Sequence, residues 1–310
     1  MWWYANFADR IISKQPNGLA ALNNRTKEQS NIEQQNNQTM KLNKKKIFRW
    51  IKIIVLLYAI IGIGLYYLQE KFLFHPVALP RDYKYQFDVP FKETELALNK
   101  TDTMSVVQFF PKDSIRRGVV LYFHGNRQNI NRYAKFADIF TNQGYEVWME
   151  DYPGFGKSLG ERNEANLNYQ AMQLYNMAKS RYGTDSIILY GKSFGTGIAA
   201  YVAINAKAHR VILETPYSSI PMLFGCYAPI YPVSTMSTYK IPSDDYLQGT
   251  TMPISIFHGT NDWVIPYRCA SRLKKVLKPT DEFITIEGGS HHDLANYPLY
   301  QQKIDSLLKR

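Results

Sequence analysis

The sequence predicts an α/β fold, with a mostly parallel sheet covered by helices on both faces and one transmembrane helix before it. From about residue 84 onward, short runs rich in β-branched and aromatic residues alternate with longer helix-compatible runs, as βαβ units do. Polar residues that could take part in catalysis follow several of these strand-like runs. In open α/β sheets, functional groups gather at the carboxyl ends of the strands. The uncharged run 53–68 predicts the membrane-spanning helix.

The first 40 residues differ from the rest of the chain. They are rich in Asn and Gln and show no apolar period, so residues 1–40 are predicted to be disordered. Met40 is followed directly by a lysine-rich stretch that resembles the start of a signal sequence. This suggests the hypothesis that translation begins at Met40.

Residues 41–70 are predicted to form a basic flank and a signal anchor. The 16-residue run 53–68 approaches the ~20 residues that span a bilayer once the flanking residues 47–52 are added. Six cations precede the run, and Glu70 and Lys71 cancel after it, so the positive-inside rule predicts a cytoplasmic N-terminus and a non-cytoplasmic catalytic domain. The six cations are Lys41, Lys44, Lys45, Lys46, Arg49 and Lys52. A cleaved signal peptide is the alternative, although no small-x-small cleavage site follows the run.

The net charge of +11 is unevenly distributed. Residues 1–52 hold ten Lys and Arg against three acidic residues, which leaves only +4 for the rest of the chain. Because the excess lies before an apolar segment, it argues for a membrane surface and against a nucleic-acid partner. Oligomeric state stays open.

Residues 71–310 are predicted to form one large domain, for which a chain with 45% hydrophobic residues is sufficient. The predicted strands are 93–98 and 104–110, as an antiparallel pair, then 118–123, 145–150, 186–190, 209–213, 253–257 and 282–287. The predicted helices are about 130–142, 164–182, 194–207, 266–277 and 298–309. Prolines punctuate residues 215–252, which predicts a minimal excursion that either covers the core or forms a short lid.

A Gly-x-Ser-x-Gly motif occupies residues 191–195, between a strand-like run and a helix-compatible run. Strand, sharp turn and helix form the setting in which this motif is a nucleophile elbow, which exposes the serine hydroxyl above the sheet. Bulky residues at the two Gly positions would collide with the packed strand and helix. The motif identifies Ser193 as the candidate nucleophile.

A serine nucleophile needs a base, and the base needs an acid that orients it. Asp262 lies in a turn just past one strand-like run, and His291 lies in a Gly-rich loop after the next. In chains with a nucleophile elbow, the acid and then the histidine follow the serine along the sequence. Asp262 and His291 are therefore the candidate acid and base. Two alternatives stay open: His292 as the base and Glu214 as the acid.

The predicted oxyanion hole uses two backbone N–H groups. The strand 118–123 ends at His124-Gly125-Asn126, where the N–H of Asn126 can face a developing oxyanion. The second donor is the N–H of Phe194, the residue after the nucleophile. His124 and His258 each precede a Gly at a strand end and are predicted to be structural.

Taken together, these motifs resemble the α/β-hydrolases, and in particular the membrane-anchored serine hydrolases related to α/β-hydrolase-domain depalmitoylases and serine aminopeptidase-like hydrolases. The resemblance covers about residues 65–310. It rests on Phe72-Leu73-Phe74-His75-Pro76, His124-Gly125-Asn126, Asp151-Tyr152-Pro153-Gly154-Phe155-Gly156-Lys157-Ser158, the elbow, Leu213-Glu214-Thr215-Pro216-Tyr217, His258-Gly259-x-x-Asp262-x-Val264-x-Pro266 and Gly289-Ser290-His291-His292-Asp293.

This resemblance implies an α/β-hydrolase fold and a serine hydrolase that cleaves an ester or thioester of a small-molecule or acylated substrate, with no metal and no organic cofactor. A serine peptidase of the aminopeptidase type is the first alternative, and a non-catalytic binding protein is the second. The two cysteines, Cys226 and Cys269, are compatible with one disulfide or with two thiols.

Overall fold

The computed structural model describes residues 16–113 and 115–309, with side chains from residue 23 onward. Its first element is a single helix, α1, which runs from Pro16 to Leu73. Contacts divide the chain into two units between Leu65 and Tyr66.

The prediction of disorder is wrong for residues 16–40, which lie within α1; residues 1–15 lie outside the described part of the chain. Gln, Glu, Lys, Arg, Leu and Ala are frequent in 16–40, and these residues lose little side-chain freedom in a helix. No proline interrupts the chain from residue 17 to residue 75. Because the stretch continues directly into the apolar segment, it extends an existing helix and incurs no separate nucleation cost.

The apolar part of α1 makes it the one helix among the described residues that is long and apolar enough to cross a membrane. Its most apolar window has a mean hydropathy of 2.2, and none of that window is buried. The predicted transmembrane helix is therefore present as an unburied apolar helix near the N-terminus, which suggests a membrane anchor.

The second unit is organised around an eight-stranded sheet in the order β10-β9-β8-β7-β4-β6-β3-β2. Strands β6, β4, β7, β8, β9 and β10 run parallel, and β2 and β3 form an antiparallel edge. The sheet strands are β2 (Phe91–Ala97), β3 (Thr103–Phe109), β4 (Gly118–Phe123), β6 (Tyr145–Glu150), β7 (Ile187–Lys192), β8 (Arg210–Glu214), β9 (Ile254–Gly259) and β10 (Glu282–Ile286). All eight predicted strands are present, with bounds that differ by two residues or fewer.

Both faces of the sheet are buried, as the near-continuous apolar strands require. Along β4, Val119 and Leu121 belong to one apolar cluster, while Val120 and Tyr122 belong to the cluster on the other side. Alternate side chains of one strand thus fill two separate cores, which confirms the predicted α/β architecture with helices on both faces.

Two further strands, β1 (His75–Pro76) and β5 (Arg127–Gln128), pair in parallel beside the main sheet. The longer domain helices match the prediction closely: α4 (Glu164–Lys179), α5 (Gly195–Asn205) and α10 (Pro298–Lys309). The predicted helix 130–142 is instead divided into α2 (Ile130–Tyr133), a 3₁₀ turn and α3 (Asp138–Thr141). The predicted helix 266–277 consists of α9 (Tyr267–Ala270) and a 3₁₀ turn.

Residues 215–252 form three short helices, α6 (Ile220–Tyr227), α7 (Val233–Met236) and α8 (Ser243–Gly249). A disulfide joins Cys226, in α6, to Cys269, in α9. Nearby, the Tyr227 hydroxyl donates hydrogen bonds to the carbonyls of Trp263 (2.6 Å) and Val264 (2.9 Å). The excursion is therefore attached, covalently and by hydrogen bonds, to the segment that carries Asp262.

Candidate active site

The nucleophile elbow has the backbone that its sequence predicts. Ser193 follows β7 and precedes α5, with a positive φ of 54°, a strained conformation that occurs at functional turns. A Cβ atom on Gly195 would lie 2.0 Å from the carbonyl oxygen of Phe123, so only glycine fits there. The N–H of Ser193 donates to the carbonyl of Glu214 at 2.8 Å, which ties the turn to the neighbouring strand β8.

A chain of hydrogen bonds joins the three residues that the sequence singled out. Nε2 of His291 lies 2.9 Å from Oγ of Ser193, and Nδ1 of His291 lies 2.8 Å from Oδ2 of Asp262. Asp262 follows β9 and His291 follows β10, so the carboxyl ends of neighbouring parallel strands bring them together. The geometry is that of a nucleophile, its base and the acid that orients the base.

Both oxygens of Asp262 are engaged. Oδ1 accepts hydrogen bonds from the N–H groups of Val264 and Ile265, each at 2.8 Å, and Nε2 of the buried His258 lies 3.6 Å from Oδ2. Burial raises the pKa of Asp262, but the hydrogen bond and charge of His291 outweigh it, helped by Ile265 and His258, and the net pKa is lowered. The carboxyl group is thereby held as a carboxylate in a buried site.

Neither of the two alternative residues, His292 and Glu214, completes the chain of hydrogen bonds to Ser193. His292 is exposed, and its ring packs edge-on against His291, 5.0 Å between centroids, while His291 itself reaches Ser193. Glu214 is buried and paired with Lys192 and with the hydroxyls of Tyr190 and Tyr300. Glu214 therefore holds β7, β8 and α10 together and does not contact the imidazole of His291.

The two predicted oxyanion donors flank Ser193. The side-chain amide of Asn126 donates to the backbone carbonyl of Leu73. The backbone carbonyl of Asn126 accepts a hydrogen bond from the N–H of His75 at 2.9 Å. These contacts fix the peptide of Asn126, whose own N–H has no acceptor among residues 16–113 and 115–309. Phe194 is buried against Phe74, with ring centroids 5.0 Å apart, so the Phe72-Leu73-Phe74-His75-Pro76 motif packs against the elbow.

His124 and Asp151 support this loop from below. His124 stacks on Tyr133 at 4.9 Å, and its Nε2 lies 3.5 Å from Oδ1 of Asp151. Oδ1 of Asp151 also accepts from the N–H of Ile130 at 2.9 Å. Both side chains are fully buried, so they position the loop that carries Asn126 and the start of α2.

A cavity opens beside Ser193 and His291, and the sequence reasoning missed most of its wall. Its lining includes four basic side chains and no carboxylate. The basic residues are Arg127, Arg132, Lys135 and Lys192. The sequence signal that could have indicated this basic wall is the run 127–136, which follows the His-Gly-Asn motif and contains three cations and no acid.

Within the described part of the chain, no cluster of three or more His, Cys, Asp or Glu residues is arranged to hold a metal ion.

Part of the chain is similar to proteins whose names describe hydrolases. The family described as serine aminopeptidase, S33, matches residues 114–241, which include Ser193. Alpha/beta hydrolase domain-containing protein 17C of Xenopus tropicalis is 29% identical over 198 residues, 62% of each chain. Lysophosphatidylserine lipase ABHD12 of Xenopus tropicalis is 27% identical over 182 residues, 52% of this chain and 47% of the relative. The chain thus matches less than two thirds of the length of these relatives.

Solved structures share the fold. A cold-adapted esterase from an Arctic intertidal metagenomic library superimposes with a TM-score of 0.56 at 14% identity, covering 76% of this chain and 99% of the esterase. An esterase of Pyrococcus furiosus superimposes with a TM-score of 0.59 at 16% identity, covering 77% of this chain and 97% of that one. At such low identity, these likenesses concern the fold alone.

Proposed function

Because the chain is a member of the α/β-hydrolase superfamily, we propose that it is a serine hydrolase that cleaves an ester or thioester through an acyl-enzyme. The observation that carries this proposal is the hydrogen-bonded sequence from Ser193 through His291 to Asp262. The matching family, described as serine aminopeptidase, S33, and a relative named as a lipase support hydrolysis as the reaction class.

In the acylation step, Oγ of Ser193 attacks the carbonyl carbon while Nε2 of His291 takes the hydroxyl proton. The N–H groups of Phe194 and Asn126 receive the negative charge that develops on the carbonyl oxygen. Collapse of the tetrahedral intermediate breaks the bond to the leaving group, and His291 returns the proton to the departing alcohol or thiol. Asp262 holds the tautomer with Nδ1 protonated and stabilises the imidazolium.

In the deacylation step, water attacks the acyl-serine and gives its proton to His291. The bond between the acyl carbon and Oγ breaks, and His291 returns the proton to Ser193. One water is consumed for each ester or thioester cleaved, and the products are a carboxylic acid and an alcohol or thiol.

The serine aminopeptidase reaction is the second candidate, because that family matches residues 114–241. An aminopeptidase must hold the free ammonium group of a peptide N-terminus, and acidic side chains are the groups that bind an ammonium ion. The cavity beside Ser193 is lined by basic residues and by no carboxylate. We therefore favour the ester or thioester reaction, and expect aminoacyl anilides to be poor substrates beside esters of the same acyl size.

The test uses covalent labelling by a fluorophosphonate together with hydrolysis of p-nitrophenyl esters and thioesters. Ser193→Ala is expected to abolish labelling and to lower kcat by several orders of magnitude, ~10⁶-fold where a serine nucleophile is lost in subtilisin. Ser180→Ala, at the exposed end of α4, is the matched control and should be labelled like the unaltered protein. Labelling of the Ser193→Ala protein at the original rate would contradict the assignment.

We also propose that α1 anchors the enzyme, with its catalytic domain on the non-cytoplasmic side. Six cations precede the uncharged run 53–68, and the positive-inside rule retains them in the cytoplasm. The disulfide between Cys226 and Cys269 supports this orientation, since disulfides persist in oxidising compartments. The proposed organisation is thus a basic flank and anchor at 41–70 and a hydrolase domain at 71–310.

A further inference from the structure

Three cations form one side of the cavity next to the nucleophile. Arg127 belongs to β5, Arg132 to α2, and Lys135 to the 3₁₀ turn that follows, and all three line the same cavity as Ser193 and His291. We call these three residues the cationic wall. Arg127 and Lys135 are exposed, and Arg132 is half-buried, so a ligand in the cavity can reach them.

Within the described chain, none of the three cations of the cationic wall has a carboxylate partner, which sets the half-buried Arg132 apart from most similarly buried cations of the second unit. Most buried or half-buried cations of the second unit pair with an acid: Lys157 with Glu93, Lys192 with Glu214, Lys278 with Asp281, and Arg162 with Glu70. Among the described residues, no Asp or Glu oxygen lies within 4.0 Å of a charged nitrogen of Arg127, Arg132 or Lys135. The positive charge of the wall is therefore not neutralised within the described protein.

The wall is also held in place. Tyr133, between Arg132 and Lys135, is buried and stacks on His124. A Cβ atom on Gly125 would lie 2.7 Å from the Tyr133 hydroxyl and 3.6 Å from Cβ of Ser193, so this ring packs directly against the loop that carries Asn126, next to Ser193. The arginines consequently extend from a segment whose backbone is fixed relative to Ser193.

The positive charge of the wall acts to lower the pKa values of two neighbouring side chains, His292 and Tyr133. Burial lowers the pKa of His292, and the charges of His291, Arg132, Lys192 and Arg127 lower it further. Burial raises the pKa of Tyr133, while the backbone N–H of Arg127 and the charges of Arg132 and Arg127 oppose that rise. Both arginines therefore act on groups at the mouth of the site.

We propose that the cationic wall is a substrate-binding subsite for an anionic oxygen group, a carboxylate or a phosphate, carried by the ester or thioester that Ser193 cleaves. Arg is suited to this role because its planar guanidinium binds carboxylate and phosphate through paired hydrogen bonds. This inference rests on the proposed function and adds the charge of the substrate to it. Cations without a carboxylate partner stabilise an anionic substrate only when that substrate occupies the cavity, so they set specificity and leave the chemical step to Ser193 and His291.

The test compares matched substrates that differ in one charge. Mono-p-nitrophenyl glutarate is compared with p-nitrophenyl pentanoate, and monobutyryl glycerol phosphate with monobutyrylglycerol, all as monomers in solution. Two unit charges about 4 Å apart near a protein surface attract one another enough that roughly fivefold or more in kcat/KM is expected in favour of the anionic partner. The two arms distinguish a carboxylate from a phosphate, and the preference should shrink as salt is raised.

The double variant Arg127→Gln/Arg132→Gln should bring the ratio of anionic to neutral kcat/KM close to one. Lys179→Gln, which removes an exposed cation at the end of α4, is the matched control and should keep the preference. Because each ratio is measured within one protein, partial loss of folded enzyme cancels. Where turnover is slow, the same ratio comes from the labelling rates of Ser193 with a carboxylate-bearing and a neutral fluorophosphonate.

Equal rates for charged and neutral substrates in the unaltered enzyme would overturn the subsite. A preference that persists in the double variant would overturn its assignment to these arginines. Failure of the proposed function is a separate result, in which Ser193→Ala loses neither labelling nor hydrolysis.

Discussion

At the scale of single residues, Asp262 decides how the site is ordered. One oxygen is held by two backbone N–H groups of its own loop, and the other oxygen contacts His291. The loop therefore orients the carboxylate, and the carboxylate orients the imidazole. A histidine one position later in the chain lies on the exposed side of the same turn and makes no such contact.

The adjacent histidines provide a matched pair for testing the base. His291→Ala removes the group that reaches Ser193 Oγ and is expected to lower kcat/KM for ester hydrolysis by several orders of magnitude. His292→Ala should keep most of the activity, since its ring borders the cavity without contacting the hydroxyl. Steady-state kinetics on both variants checks this, and the reverse order of the two kcat/KM values would assign the base to His292.

The lowered pKa of Asp262 predicts how stability depends on pH. Its folded-state pKa lies below its ordinary value, which is about 3.9 for an unfolded aspartate, so the unfolded state binds the proton more readily. Its contribution to stability is present above about pH 3.9 and is lost as pH falls through the lower folded-state pKa. The difference in unfolding free energy between the unaltered protein and Asp262→Asn should shrink in that acidic range. Urea titrations along a pH series measure it, and a constant difference into strong acid would contradict the prediction.

At the scale of elements, the candidate active site depends on how closely strand β4, the elbow and helix α5 pack. Gly195 lies against the last residues of β4, with the carbonyl of Phe123 in the way of any side chain. The same packing lets α5 begin directly behind Ser193, which holds the serine in its positive-φ conformation. Strand β4 and helix α5 can pack this closely only because Gly195 has no side chain.

Gly195→Ala is therefore expected to destabilise the protein by about 2–3 kcal/mol or more, as overpacking against rigid backbone does. Gly183→Ala is the matched control, because a Cβ atom there meets nothing within 4 Å, and it should stay within about 0.5 kcal/mol of the unaltered protein. Thermal and urea unfolding of both variants gives the comparison. Equal stability of the two would mean that the elbow has room that the structure does not show.

At the scale of the whole molecule, the chain joins an unburied apolar helix to an α/β domain. The run 53–68 has no charge, and each basic residue moved through the centre of a bilayer costs about 2.5–3.5 kcal/mol on insertion scales. The basic flank therefore determines orientation more strongly than the balanced Glu70 and Lys71 on the other side. A disulfide persists in an oxidising compartment, so the oxidation state of the two cysteines tests the orientation independently of the charge distribution.

We expect the protein to resist carbonate extraction and its domain to be digested by protease added outside spheroplasts or right-side-out vesicles. In the same cells, Cys226 and Cys269 should react with an alkylating reagent only after reduction. A domain protected until the membrane is lysed, with both thiols reactive from the start, would place it in the cytoplasm. Release by carbonate would argue against the anchor itself.

The sequence by itself determined the elements whose signal is local. Strand positions, the elbow around Ser193 and the apolar anchor each depend on a short window of periodicity or on residues adjacent in the chain. Asp262 and His291 were predictable too, because the parallel topology brings the ends of successive strands to one edge.

Only the tertiary structure decided what depends on distant neighbours. It paired Cys226 with Cys269 across a separation of 43 residues, brought His291 and not His292 to Ser193, and directed Glu214 into a buried ion pair with Lys192. It also placed Arg127 and Arg132 in the cavity beside Ser193 and without carboxylate partners. Hydrogen bonds and charge pairs act over a few ångströms in space, and a local pattern does not say which side chains the fold brings within that distance.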